Sequence, residues 1–260
     1  MTLFQKNFKN SLDKLYLQYN KRSFAHPDPV TFLYDYPDLR DREIVGLIAS
    51  TLAYGNVKQI FKSVRFVLDR LSKSPYSFLV GNSERDIKLK LSGFYHRFTK
   101  AEDLCHLLNG IKKSIQTYGS LQACFLDGFG KNDSSIFPAL ASFTRKIVGD
   151  YSCAGSALLP DVSKGSACKR LHLYLRWMVR EDEIDLGGWK HISPSKLIVP
   201  LDTHMHRISL KWQATKRKQA NMKTALEVTE FFSKISPTDP VKYDFVLTNL
   251  AMRGKLVIDF

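Results

Sequence analysis

The sequence predicts an all-α fold, and three observations carry that expectation. Apolar residues recur at intervals of three and four along most of the chain, no run alternates apolar and polar positions as a half-buried strand would, and capping residues stand where the helical patterns begin. From Leu3 to Tyr19 the positions Leu3, Phe4, Phe8, Leu12, Leu15, Tyr16 and Tyr19 make one helical face. Asp28-Pro29 sets a cap before a proline at the first helical position and opens a short helix. An apolar helix starting at Asp41 or Arg42 runs to Tyr54 and closes at Gly55, after which Asn56 caps a helix over 57–71. Ser74-Pro75 opens another short turn. Thr99-Lys100-Ala101-Glu102 reads as a capping box, in which the hydroxyl and the carboxylate each satisfy a free backbone N–H, and it opens a helix to Tyr118. Further helices are expected over 120–127, 134–148, 167–180, 203–212, 221–235 and 240–250, the last opened by Asp239-Pro240. No internal repeat is present.

A chain of 260 residues buries a sizeable core and fits one large domain or two helical lobes sharing a cleft. Its 44% hydrophobic content is that of a globular protein and excludes wholesale disorder. Lysine and arginine exceed aspartate and glutamate by 39 to 25, a net charge of +14, which draws polyanions and favours nucleic acid or an anionic membrane surface as partner. No stretch reaches the roughly 18 consecutive apolar residues of a membrane span. Lys9, Asp13 and Lys14 interrupt the start before a signal-peptide core can form, so a cytoplasmic location is expected. The four cysteines, Cys105, Cys124, Cys153 and Cys168, match neither a zinc knuckle nor an iron–sulfur ligand set, and read as reduced thiols.

Two irregular stretches, 150–166 and 181–201, bracket the helix expected over 167–180, and chemistry often sits on loops held by rigid helices. Ser163-Lys164-Gly165-Ser166-Ala167-Cys168-Lys169-Arg170 is a glycine-containing turn running into a helix start, where free N–H groups suit a phosphate. Lys169, Arg170, His172, Arg176 and Arg180 follow along that helix, either solvated or paired with Glu181, Asp182 or Glu183. Pro200-Leu201-Asp202-Thr203-His204-Met205-His206-Arg207 is the densest polar constellation. Asp202 reads as a helix N-cap, a role compatible with catalysis because a cap holds the carboxylate in one geometry. His204 and Arg207 share a helix face. The spacing Asp202-x-His204-x-His206 also matches the metal-binding start of amidohydrolase-type barrels, but no histidine follows His206 to complete a ligand set and the remaining chain reads as helices, so no metal is expected. Trp177, Trp189 and Trp212 read as core residues.

Together these segments resemble the catalytic core of the helix–hairpin–helix DNA glycosylase superfamily, and the chain as a whole is similar to bacterial proteins of like length and unassigned function within it. Gly165-Ser166-Ala167-Cys168-Lys169 stands where that superfamily has Gly-x-Gly-x-Lys ending in a nucleophilic lysine, and Asp202-Thr203-His204-Met205-His206-Arg207 matches its Asp-Thr-His-x-x-Arg. Residues 44–60 resemble the helix–turn–helix that carries the strand-wedging residue. Gly93-Phe94-Tyr95-His96-Arg97-Phe98 resembles the Gly-Phe-x-x-Arg turn of 8-oxoguanine glycosylases. The hairpin lacks the second glycine, and Lys169 and Asp202 are 202 − 169 = 33 residues apart, a wide separation similar to that of archaeal-type 8-oxoguanine DNA glycosylase/lyases. With no cysteine after Cys168, the iron–sulfur cluster of one branch has no ligands, and no cofactor is expected.

The resemblance implies two lobes, roughly 30–140 and 1–29 plus 141–260, and a monomer acting on damaged double-stranded DNA. It implies Lys169 as nucleophile and Asp202 as its carboxylate partner, in a bifunctional glycosylase/lyase that excises an oxidised purine, 8-oxoguanine first. Lys164, Gly165, Ser166, Ala167, Arg170, His204 and Arg207 would hold the phosphate backbone, Tyr54 and Asn56 would fill the space left by the everted nucleotide, and Asp244 would read the base edge. The residues alone leave Tyr54 equally readable as a core aromatic and Asp244 as the partner of Lys242 or a nearby arginine. A DNA-binding protein of the same fold without turnover is the competing expectation.

Overall fold

The computed structural model describes residues 3–130, 133–149 and 158–256. It is mostly helical, and among the described residues the only sheet is one two-stranded hairpin. The chain divides into two compact units, one formed by residues 27–164 and the other by 1–26 together with 165–260.

The continuous unit holds seven helices among its described residues, α2 (Leu39–Thr51), α3 (Val57–Leu68), α4 (Pro75–Gly81), α5 (Glu84–Lys90), α6 (Ala101–Tyr118), α7 (Leu121–Leu126) and α8 (Phe137–Val148). Helix α2 begins at Leu39, two or three residues before the expected start at Asp41 or Arg42, because Asp38 is the cap: its carboxylate accepts from the Arg40 N–H at 2.8 Å. Asp41 is instead buried and accepts from the Ser74 hydroxyl and the Tyr76 N–H. Asn56 caps α3 as expected, accepting from Lys58 N–H at 2.9 Å. Helix α2 is the centre of this unit, with Ile44, Val45, Leu47 and Ile48 fully buried. From the same helix the buried Glu43 accepts from the backbone N–H groups of Leu121 and Gln122, both at 3.0 Å, and so supplies the free end of α7 with acceptors from 78 residues away in sequence.

The hairpin, β1 (Tyr95–His96) and β2 (Thr99–Lys100), pairs Tyr95 with Lys100 and His96 with Thr99 around the two-residue turn Arg97-Phe98. It overturns the capping box expected at Thr99. Thr99 belongs to the strand, and the carboxylate that meets the start of α6 is Asp103, which accepts from Lys100 N–H at 2.7 Å. The strand was hidden because it is two residues long and its turn carries neither glycine nor asparagine; Arg97 takes the left-handed conformation at φ 55 in their place.

Helix α8 packs on α6 and α7 through Ala139, Leu140, Phe143 and Ile147, with the Phe125 and Phe143 rings 5.7 Å apart. This apolar face draws α8 into the continuous unit, so the first lobe extends to Lys164 and not to residue 140. Part of the irregular stretch 150–166, residues 150–157 with Cys153, lies outside the described residues.

The second unit consists of α1 (Leu3–Tyr19), α9 (Lys169–Val179), α10 (Thr203–Lys211), α11 (Met222–Ile235) and α12 (Asp244–Met252). Every residue of α9 from Leu171 to Val179 is buried, which makes it the central helix. Trp177, Trp189 and Trp212 are core residues, as the sequence suggested. Helix α12 starts four residues later than Asp239-Pro240 implied, because Asp239 is committed elsewhere: it receives Arg180 Nε at 2.9 Å. Cys105, Cys124 and Cys168 are buried free thiols. No helix of the described residues is long and apolar enough to cross a membrane.

Helices α6 and α8 cross closely at Gly110. A Cβ on Gly110 would lie 2.0 Å from the Ile147 carbonyl oxygen. Gly110→Ala is therefore expected to destabilise the protein by about 1–3 kcal/mol despite the better helix propensity of alanine, the overpacking being the larger effect. Denaturant unfolding of the two proteins measures this, and a stabilised variant would contradict it.

Candidate functional site

The site is built on the starts of two helices in the discontinuous unit. Gly165 turns the chain at φ 80, with open space where a side chain would be, and the chain reaches α9 through Ser166, Ala167 and Cys168. The expected second glycine is Ala167, which is buried and is not among the positive-φ residues; the left-handed position has moved to Cys168, at φ 45 and ψ 36. Alanine thus stands at 167 without backbone strain, and the departure from the glycine pattern has a local explanation. The turn is pinned from outside: Ser166 and Asn221 form an antiparallel bridge, and Met222 N–H donates to Gly165 O at 3.0 Å.

Helix α9 has no side-chain cap hydrogen bond and no acid in its first turn, but opens with Lys169 and Arg170. Two cations at the positive end of a helix dipole are each unfavourable by about 0.3–1 kcal/mol. A carboxylate offsets this. Asp202 Oδ2 lies 3.5 Å from Lys169 Nζ, across 33 residues of sequence. The other oxygen is engaged as expected, Oδ1 accepting from Met205 N–H at 2.8 Å as the N-cap of α10. Cap and ion pair therefore use different oxygens of one carboxylate, and the cap fixes which way the second oxygen faces. Side-chain exposure of 35% for Lys169 and 16% for Asp202 leaves the amine reachable while the acid is mostly covered.

On α10, Arg207 is exposed and His204 half-buried. The His206 Nε2–H donates to the Arg217 carbonyl at 2.8 Å, a bond unavailable to a metal ligand using that nitrogen. Histidines two apart on a helix also point about 200° apart. Among the described residues no cluster of three histidine, cysteine, aspartate or glutamate side chains could hold a metal ion.

Asp244 takes the second of the two roles its sequence left open, pairing with a nearby arginine. It is 3% exposed, at the start of α12, and its Oδ2 accepts from Arg176 Nη1 at 2.5 Å. Arg176 also meets Asp185 through Nε at 3.2 Å, and Arg180 reaches Asp185, Asp182 and Asp239. Two arginines from the face of α9 and four aspartates from later in the chain thus form a buried ionic network beneath the site. Helical spacing showed the arginines, and Asp244 was open to pairing with an arginine, but nothing in the sequence pointed to Asp185 and Asp239 as their partners. Burial pushes the Asp244 carboxyl up to about 6; Arg176 opposes the shift, and the charge of Asp202 adds to it.

In the continuous unit, Lys164 ends a short 3-10 turn and is exposed. The half-buried Tyr54 is anchored by its hydroxyl, which donates to His96 O at 2.9 Å and lies 2.6 Å from Thr99 Oγ1. His96, fully buried, donates from Nε2 to Tyr54 O and accepts at Nδ1 from Ser63. Asn56 spends its side-chain oxygen on the α3 cap. The exposed ring here is Phe98, 72% accessible, stacked at 6.0 Å and 8° on Tyr54, with the Arg97 guanidinium 5.0 Å from its centre. Sequence reasoning noted this turn by resemblance but assigned no work to Phe98 or Arg97; two large solvated side chains at the tip of a hairpin were the missing signal.

The molecule is thus a mostly helical, strongly basic protein with a lysine–aspartate pair mounted on two helix starts. The chain belongs to the DUF2400 family, described as a protein of unknown function, whose pattern it matches over residues 28–253. No curated protein and no solved structure matches it.

The Asp244 carboxyl has a measurable signature. With its folded value near 6 against an ordinary 3.8, the folded chain binds this proton more tightly than the unfolded chain. Its contribution to stability therefore falls as pH rises through that window. His172, fully buried and pushed by burial down to about 3, titrates in the opposite sense below its ordinary 6.5, so the raw profile mixes the two. In Asp244→Asn the difference from wild type isolates the carboxyl: melting temperatures at pH 4, 5, 6 and 7 should show the wild type losing ground to the variant as pH rises to about 6. A constant difference across the series would contradict the assignment.

Proposed function

We propose that the protein is a DNA glycosylase/lyase that removes an oxidised purine through a Schiff base on Lys169. The single observation that supports this reading most strongly is the juxtaposition of Lys169 and Asp202, with the carboxylate oriented by its own capping bond. An amine that must act as a nucleophile has to give up a proton, and Asp202 Oδ2 is placed to receive it.

A base stacked in a duplex is out of reach, so the damaged nucleotide is first turned out of the helix at a cost of a few kcal/mol. The Lys169 nitrogen attacks the sugar C1′ and its lone pair forms the new C–N bond. The glycosidic bond breaks and its electron pair leaves with the base, which is protonated as it departs. Asp202 stabilises the positive charge that develops on the sugar. Opening of the sugar gives an iminium on Lys169, which acidifies the neighbouring C2′–H; loss of that proton expels the 3′ phosphate and cuts the strand. Water then hydrolyses the imine and frees the enzyme.

Backbone contacts fall to Lys164 and the adjoining Gly165–Ser166–Ala167 turn, with Arg170, His204 and Arg207. Tyr54 and Asn56, expected to fill the space vacated in the stack, spend their polar side-chain atoms on internal bonds, and Phe98 is the solvated ring stacked on Tyr54. With Asp244 buried against Arg176, the base edge is read by other groups, and 8-oxoguanine stands as the first substrate to try.

Borohydride trapping tests the proposal. A duplex carrying 8-oxoguanine, incubated with protein and reduced, should give a covalent protein–DNA band that disappears in Lys169→Gln and forms about 10²–10⁴ times more slowly in Asp202→Asn. A full panel of oxidised, alkylated and abasic duplexes that bind but never trap would replace the enzyme with a DNA-binding protein of the same architecture.

A further inference from the structure

The segment from α10 into α11 carries cations beyond Arg207 that the proposed function does not use. Between Asp202 and Glu227 there is no acidic residue, while Arg207, Lys211, Lys216, Arg217, Lys218 and Lys223 all fall in that interval. Lys216, Arg217 and Lys218 occupy the exposed loop joining the two helices.

The loop is tied down at many points. Ala214 N–H donates to Ser209 O at 2.9 Å, and the Arg217 carbonyl receives His206 Nε2–H at 2.8 Å. Glu227 of α11 accepts from the Thr215 hydroxyl and from Arg217 Nε, each at 2.6 Å. Thr224 Oγ1 donates to Gln219 O at 2.6 Å. At its far end Asn221 bridges Ser166, and Met222 N–H donates to Gly165 O. Glu227 thus engages Arg217. Lys216 and Lys218, by contrast, are exposed and form no ion pair among the described residues.

Holding two unneutralised ammonium groups on a fixed loop costs electrostatic repulsion, which an external polyanion relieves. The attachment to Gly165 and Ser166 joins these cations to the turn that leads into Lys169, so that turn and loop make one exposed surface on the same unit. The exposed cations follow one another along a segment, an arrangement suited to successive phosphates.

We propose that the 214–221 loop is a second phosphodiester clamp, fastened to the Gly165–Ser166 turn, that holds the backbone of duplex DNA through Lys216 and Lys218. The proposal rests on the nucleic-acid reading given above and adds a contact which that reading does not require. Its occupant is the sugar–phosphate backbone, so the contact is independent of base sequence and of damage.

The test is equilibrium binding of the full-length protein to an undamaged duplex and to the same duplex carrying 8-oxoguanine, from 50 to 200 mM salt. The variants are Lys216→Ala/Lys218→Ala and the charge-reversed Lys216→Glu/Lys218→Glu, with Lys14→Ala/Lys190→Ala as a control of equal charge change outside the loop. The alanine pair should flatten the log–log salt slope by about 2, so that its affinity falls roughly tenfold less than that of wild type across that range. Both duplexes should be affected equally, the glutamate pair should bind more weakly still, and melting temperatures should hold because both side chains are solvated. Borohydride trapping at saturating DNA should be unchanged. A salt slope equal to that of wild type, or a loss matched by the control, overturns the clamp. So does a loss confined to vesicles rich in phosphatidylglycerol while duplex binding persists. Failure to trap with the slope difference intact would instead remove the glycosylase reading and leave the clamp standing.

Discussion

One carboxylate holds the candidate site together. Asp202 gives Oδ1 to the start of α10 and turns Oδ2 toward Lys169. Because the capping bond is short and backbone-directed, the direction of the second oxygen follows from the position of a helix and not from a freely rotating side chain. The amine in turn stands at the first residue of α9, where a lysine is unfavourable for the helix itself. Two helix termini that would each be stable with ordinary residues are thus made interdependent, and the position of the pair is set by how α9 and α10 pack within one unit.

That packing rests on the ionic network beneath the site. Arg176 and Arg180 leave the buried face of α9 and meet Asp185, Asp239, Asp244 and Asp182. Removing one member would leave its partner charged and buried, a situation costing about 3–5 kcal/mol in comparable pairs, whereas an apolar network of the same shape would be as stable or more so. The arrangement makes sense as a device for register: guanidinium groups with several fixed acceptors admit few alternative placements of α9 and α12. The apolar core around Trp177, Trp189 and Phe245 is adaptable by comparison.

Much of this architecture could be read from the chain, and the failures are instructive. Helical periodicity placed the long helices because each buries a single stripe, and Asn56 and Asp202 announced their caps by residue type. The pairing of Lys169 with Asp202 was legible only through resemblance, since nothing in 33 intervening residues dictates it. Asp38 and Asp41 compete for one cap, and the choice depends on Asp41 finding Ser74 and Tyr76. Asp103 displaced the expected Thr99 box because a tertiary contact with Tyr54 drew the threonine into a strand. In each case a long-range partner outweighed a local preference. Asp244 follows the same rule: its sequence left open a pairing with Lys242 or a nearby arginine, and the distant Arg176 is the partner, in the interior and not on the surface.

The order of the two units along the chain has a consequence for synthesis, since residues 27–164 interrupt the sequence of the other unit. Residues 27–164 form a self-contained body that is complete while the chain is still emerging from the ribosome. Helix α1 has no such opportunity, because Asp13 is held by Lys242 and Tyr243 and Tyr16 by Asp182. Helix α1 therefore waits for residues 182–243 to be made, and its apolar stripe, with Phe8 and Leu12, stays uncovered until then. Apolar surface left uncovered in that interval is what makes a nascent chain prone to aggregate.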